Sequence, residues 1–334
     1  MKKFFAGGNT AYGFCGYFDK IRRYDISGMS FIIKGGAGTG KSTLMKKVAE
    51  YLEKNGEDVE RFYCSGDIQS LDAVYAPKLN VVIQDGTSPH ATEPKVLGED
   101  IYVNVAAAVN EEKIAPHYNE IRSILANKAK HYENCYAYLY AAGKIAEVNF
   151  KSAKRNLKSE AERITEIIKK SCAPLNYGVA EKKAFLSAIT AEGEISFINE
   201  SFSDFKKITV KGVDRYSSLA IVDEIFENLK NEKIECLGFR DALLPNAIQT
   251  IVFVQAKTLV TVLDCESDQL VLSECDVNSP YGVMNESEVK DLIDVAADCL
   301  YEVKREHKKT EAYYIASMRW DMVDAAYEQI INRI

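Results

Sequence analysis

Apolar residues fall along this chain in short runs that end in glycine, serine or aspartate, and later in long stretches of three- and four-residue spacing. Phe31-Ile32-Ile33 reads as a buried strand, and Thr43-Leu44-Met45-Lys46-Lys47-Val48-Ala49 soon after it reads as a helix. Val59 to Cys64 and Leu79 to Asp85 predict two more strands, the first running into Ser65-Gly66-Asp67 with Ser70-Leu71-Asp72 close behind. Asn110 to about Ala142 and Lys144 to about Lys170 carry helical periodicity with interleaved charge; Asn285 to about His307 and Lys308 to Asn332 form a second pair. Tyr132, Tyr136, Leu139 and Tyr140 share one helix face, a packing stripe. The fold class this predicts is α/β with mostly parallel sheets and helical extensions.

The pattern returns. Lys2-Lys3-Phe4-Phe5 and Thr10-Ala11-Tyr12-Gly13 recur 180 positions later as Lys182-Lys183-Ala184-Phe185 and Thr190-Ala191-Glu192-Gly193. After a three-residue deletion, Ile33-Lys34-Gly35 pairs with Val210-Lys211-Gly212, and Val48 to Leu52 with Ile225 to Leu229. Two tandem domains are therefore expected, 1–176 and 177–334, with Ser171 to Gly178 as linker.

Between the first strand and helix lies Gly35-Gly36-Ala37-Gly38-Thr39-Gly40-Lys41-Ser42, followed by Thr43, a full match to G-x-x-x-x-G-K-[ST]. Glycines let the backbone N–H groups turn toward phosphates, and the helix that follows adds the positive end of its dipole. Lys41 is expected to reach the β- and γ-phosphates, and Ser42 to hold Mg²⁺. A carboxylate must face that serine, and Asp85 at the end of its apolar run supplies it as the second metal ligand. Gly86 follows in place of the glutamate that many fast ATPases use to orient water. In Thr87-Ser88-Pro89-His90, His90 reads either as a sensor or water-positioning catalytic group or as a plain loop histidine. Asp67 and Asp72 read either as groups at the same sheet edge that coordinate a second substrate or the water around Mg²⁺, or as turn and helix caps. The second copy has Ser217-Ser218 where Gly40-Lys41 stand and Asp214 within its loop, so its site is expected to be lost.

Composition narrows the rest. A net charge of −7 argues against nucleic acid as a main partner, and no apolar run reaches membrane-spanning length. The apolar start Met1 to Phe5 ends at Ala6-Gly7-Gly8, too early for a signal peptide. Eight scattered cysteines without a C-x-x-C pair, and no clustered histidines, fit a reducing cytoplasm and argue against structural zinc. The guanine-reading N-K-x-D is absent, which favours ATP over GTP.

Phe5 to Thr10, Lys34 to Met45, Cys64-Ser65, Ser70 to Asp72 and Asp85 to His90 together resemble the motifs of a bacterial family of uncharacterised tandem P-loop ATP-binding proteins. The resemblance is close over the first half and only in outline over the second. It implies two P-loop NTPase-like domains, each with a C-terminal helical extension, and departs from the family in Ser217-Ser218. The expected activity is a Mg²⁺-dependent ATPase of regulatory or switch type, with ATP in the first domain, an unidentified protein partner and the oligomeric state open. Arg215 and Arg240 are candidate transition-state cations. The alternatives are a small-molecule or nucleotide kinase, for which Arg122, Arg155 and Arg163 would form a lid, and a nucleotide-binding scaffold with little turnover.

Overall fold

The computed structural model describes residues 2–172, 179–212, 214–265, 268–271 and 286–334. The boundary expected at 176/177 and the linker from residue 173 onward lie outside them. The first half contributes β1 (Lys2–Phe5), β2 (Gly7–Thr10), β3 (Gly13–Gly16), β4 (Met29–Lys34), α1 (Lys41–Lys54), β5 (Glu60–Tyr63), β6 (Leu71–Ala76), β7 (Val81–Asp85) and β8 (Asp100–Asn104). Helices α2 (Glu111–Ile114), α3 (Tyr118–Asn156) and α4 (Lys158–Cys172) follow. The second half runs β9 (Val179–Phe185), β10 (Ser187–Thr190), β11 (Gly193–Ser196), α5 (Ile198–Ser201), β12 (Lys206–Lys211), α6 (Arg215–Asn231), β13 (Cys236–Arg240), β14 (Ile248–Phe253), β15 (Thr258–Thr261) and β16 (Asp268–Val271), then α7 (Glu286–Ser317) and α8 (Trp320–Ile331).

Among the described residues, twelve strands form one sheet in the order β16-β12-β15-β14-β13-β9-β1-β5-β6-β7-β4-β8. Read outward from the central β9–β1 junction, the two sides have the same order. Six junctions are parallel and five antiparallel. The antiparallel ones on each side arise from a strand the sequence reading did not contain. β6, and β14 opposite it, stand antiparallel between two strands that would otherwise be neighbours. Ser70-Leu71-Asp72, to which the sequence assigned no strand, is where β6 starts, and all six β6 residues are buried. Their run lacks polar alternation because both faces are covered.

The hairpins β2–β3 and β10–β11 form a second sheet, joined by β2 against β10. Their turns are the same. The Thr10 hydroxyl donates to Gly13 O at 2.8 Å and accepts from Tyr12 N, while Thr190 does the same with Gly193 O, also 2.8 Å, and Glu192 N. Gly13 and Gly193 take φ of +94° and +89°, a region open to glycine at little cost.

The helical pairs break elsewhere than their sequence suggests. α3 runs straight through Gly143 and ends at Asn156; α7 runs through His307 and ends at Ser317. Gly143 is no helix stop. A Cβ there would lie 2.1 Å from Ala11 Cβ, so glycine is what lets α3 lie on the β2–β3 turn. On the predicted stripe, Tyr132, Tyr136 and Leu139 join the core beside that turn, and Tyr140 is exposed.

Each half is covered by a helix from the other. Ala153 on α3, Leu157 between α3 and α4, and Ala161, Ile164 and Ile168 along α4 pack with α6 residues Val222, Ile225 and Leu229 of the second half. Conversely, Val323 and Ile330 of α8 close the first-half core over Leu44, Val48 and Leu52 of α1. A third cluster, with Phe4, Phe62, Leu186 and Phe239, runs across the junction of the halves. No described helix is long and apolar enough to cross a membrane.

Candidate functional site

β4 delivers its chain to the edge of the sheet at Lys34, and the glycine-rich loop turns there into α1, whose first residue is Lys41. Gly38 and Gly40 take φ of +70° and +85°, which a side chain would strain. Buried Thr39 pins the loop by donating from Oγ1 to Gly36 O at 2.9 Å. A Cβ on Gly35 would strike Thr39 and Val105 at 2.6 Å, whereas one on Gly36 would meet nothing within 4 Å. Gly36 is thus the open side of the loop. Lys41 Nζ lies inside it, donating to Gly35 O at 2.8 Å and Gly36 O at 2.7 Å, and stands 3.6 Å from Asp85 Oδ2. Ser42 Oγ accepts from Leu71 N, and Thr43 is exposed.

β7 pairs in parallel with β4 so that Asp85 lies opposite Ile33, two residues before the loop. Asp85 Oδ1 accepts from Thr87 N at 2.7 Å, and Thr87 Oγ1 donates to Gly35 O at 2.5 Å, so the end of β7 is tied to the loop. The same segment brings His90 between Asp85 and Asp72. Its Nδ1 is 3.9 Å from Asp85 Oδ2 and its Nε2 is 3.6 Å from Asp72 Oδ2. Phe18 and Phe14 pack against the ring, with centroids 4.7 and 5.3 Å away. Burial pushes the Asp72 carboxyl upward, His90 pulls it back, and Asp85 pushes it up again. Burial and then Asp72 push the Cys64 thiol well above its usual range, so it is no activated nucleophile. Asp67 is a turn residue and an anchor. Its carboxylate accepts from Ser70 Oγ and pairs with Lys304 of α7 at 3.1 Å.

Residues from distant helices cover the loop. The backbone of Glu311 would touch a Cβ on Gly38 at 2.7 Å, and the Trp320 ring one on Gly40 at 3.0 Å. Lys128 of α3 shares a 3.0 Å hydrogen bond with His307 Nδ1, and His307 Nε2 pairs with Glu311. Burial holds the Lys128 ammonium below the usual lysine range, against the opposing pull of Cys64 and Glu311. No local pattern signals these contacts, because they join positions up to 280 apart.

The equivalent place in the second half is closed by its own atoms. Asp214 caps α6, its carboxylate accepting from Ser217 N at 2.8 Å and from Ser217 Oγ. Ser218 Oγ accepts from Gly212 N at 2.8 Å. Arg215, Tyr216 and Ser217, which take the places of Gly38, Thr39 and Gly40, are wound into the first turn of α6. The carboxylate opposite is also missing. Ile33 faces Asp85, but Thr209 faces Thr261, which puts Val262 at the following position. Arg215 is engaged there by Glu194 and Asp241, and Arg240 donates to Pro245 O. Arg122, Arg155 and Arg163 lie on exposed faces of α3 and α4.

Residues 18–139, about a third of the chain, match the family model described as Nephrocystin 3, N-terminal. That segment reaches from the residues just before β4 to the middle of α3 and takes in the glycine-rich loop, Asp72, Asp85 and His90. No curated protein and no solved structure matches the chain.

Proposed function

We infer that the first half is a P-loop nucleotide-binding unit that takes ATP with Mg²⁺, and that the chain is a switch-type ATPase whose second half is a structural or allosteric partner. The observation that carries this reading is the Lys41 ammonium, held by the carbonyls of Gly35 and Gly36 inside a loop that is open at Gly36 and sits between β4 and α1. Phosphate oxygens are better acceptors than those carbonyls for a lysine so placed. Ser42 and Asp85 are the residues that would hold Mg²⁺, whose charge would offset that of the β- and γ-phosphates. Thr87 makes the switch plausible in physical terms: it joins Asp85 to the loop carbonyl, so a change at either end moves the other.

One observation favours the scaffold reading. Gly86 directly after Asp85 removes the usual water-orienting carboxylate. ATP binding by calorimetry and ADP release, each with Lys41→Ala, test both readings. Release lost in the variant supports the ATPase; tight binding without release supports the scaffold. No ATP binding by the intact chain overturns the assignment.

A further inference from the structure

We propose that Asp72, Asp85 and His90 form a binding site for a divalent transition metal that is filled without nucleotide. One potential ligand atom from each residue lies within 4.8 Å of the other two. The three come from different segments: the start of β6, the end of β7, and the loop beyond it.

Acidic residues at a sheet edge are commonplace, and proximity alone would mean little. What sets these apart is their hydrogen bonding. Asp72 is 4% exposed, yet its Oδ2 has no hydrogen-bond partner and is directed at the His90 ring. His90 Nδ1, also buried, has none either and faces Asp85 Oδ2. Leaving a buried carboxylate oxygen unpaired is expensive in a folded protein, and a bound cation removes that cost. On Asp85, Thr87 N occupies Oδ1, while Oδ2 is 3.6 Å from Lys41 Nζ and 3.9 Å from His90 Nδ1, both beyond hydrogen-bond length, so an ion at this oxygen would displace the lysine contact.

At 3.6 Å from Nε2 to Asp72 and 3.9 Å from Nδ1 to Asp85, the imidazole–carboxylate gaps exceed hydrogen-bond length. A metal takes one ring nitrogen, so one of these gaps at a time is a ligand–ligand distance; two ligands each about 2.1 Å from an ion stand roughly 3.5 Å apart, and one atom from each of the three residues lies within 4.8 Å of the others. The donor set selects the class of ion. Mg²⁺ prefers all-oxygen shells and keeps its waters, whereas one imidazole with two carboxylates suits Mn²⁺, Fe²⁺ or Zn²⁺. Phe14 and Phe18 fix the ring, as a preorganised ligand requires. In the second half Gln249 stands at the place of Asp72 and bonds Ser187, and Val262 stands at that of Asp85, so the set is confined to the half with the complete loop.

Loss of the free Mn²⁺ signal in electron paramagnetic resonance, measured on the full chain without nucleotide, tests the proposal. Competition with Mg²⁺ and Zn²⁺, and ATP binding in parallel samples, complete the experiment. One Mn²⁺ site per chain is expected, at least tenfold tighter than for Mg²⁺. Asp72→Asn and His90→Phe, which keeps the aromatic packing, should each weaken it at least tenfold while melting cooperatively. Mn²⁺ bound only with ATP, bound equally by both variants, or not bound at all overturns the metal site. ATP binding that persists in any of those cases leaves the nucleotide reading standing, and its loss with Mn²⁺ binding intact does the reverse.

Discussion

Phe5 stands directly opposite Phe185 across the antiparallel junction of β1 and β9. The two residues occupy the same place in their respective halves, and an antiparallel pair of equivalent residues is what a two-fold relation between the halves requires. Asn9 opposite Ile189 in the smaller sheet repeats the relation at the same spacing. Lys182 pairs with Glu60 at 2.7 Å across the junction, and the Ser201 hydroxyl closes on the backbone of Lys3. The halves are thus built as partners, and the exchange of α4 and α8 follows the same symmetry.

That exchange gives a first prediction. Ile330 is fully buried in the first-half core although only four residues of the sequence follow it. Ile330→Ala should cost about 2–4 kcal/mol in denaturant unfolding, and Ile315→Ala, at a half-exposed position of α7, less than about 0.5. Equal small effects would mean that α8 does not seal this core.

Gly143 makes a second. Glycine to alanine within a helix normally gains up to about 1 kcal/mol. Here the added methyl meets Ala11 at 2.1 Å, in a turn whose Ala11 N is itself bonded to Leu243 O of the other half. Gly143→Ala should therefore destabilise by about 1–3 kcal/mol. Ala11→Gly in the same chain should recover much of that loss, and additive costs in this double-mutant cycle would refute the contact.

Much of the first half was legible because its chemistry is local. The loop from Gly35 to Ser42, its strand and its helix are contiguous, and Asp85 and His90 follow within fifty residues. β6 was not, because Leu71-Asp72-Ala73-Val74-Tyr75-Ala76 is short and, buried on both faces, shows no polar alternation, even though the strands it pairs with are the ones next to it in sequence. The helix ends were misread for a related reason. Glycine at 143 looks like a stop when only its own segment is considered, and like a requirement once Ala11 lies against it. Lys128, His307, Glu311 and Trp320 reach the loop through the packing of α3, α7 and α8, and no spacing in the sequence encodes that arrangement.

The second half offers a third prediction. The Asp214 carboxylate accepts from the Ser217 N–H in the first turn of α6, the position at which an anion would bind a helix start. Asp214→Ala should cost about 1 kcal/mol through the lost cap. It should add no nucleotide site, because Arg215 to Ser217 remain helical and no lysine stands at 218. A second ATP equivalent in calorimetry would contradict this.

The ion pair between Asp67 and Lys304 carries a pH dependence. Burial alone would raise the Asp67 carboxyl, but the hydrogen bonds from Ser70 and Lys304 and the lysine charge outweigh it and hold it below the usual range. Folding therefore favours the ionised form. Its contribution is complete above the usual carboxylate range and is lost as pH falls through the lowered value. The pair is partly exposed, so Asp67→Asn should destabilise by only about 0.5–1 kcal/mol at pH 7. At pH 3 the difference should shrink, because the wild-type carboxylate is then being protonated. Thermal melts of both proteins across that range check the sign, and a gap that widened toward acid would show that Asp67 is not held in its charged form by α7. Because Lys304 also pairs with Glu192 at 2.6 Å, it links the β5–β6 turn beside the candidate site to the second half. Lys304→Met should therefore cost more than Asp67→Asn at neutral pH, by the loss of that second contact.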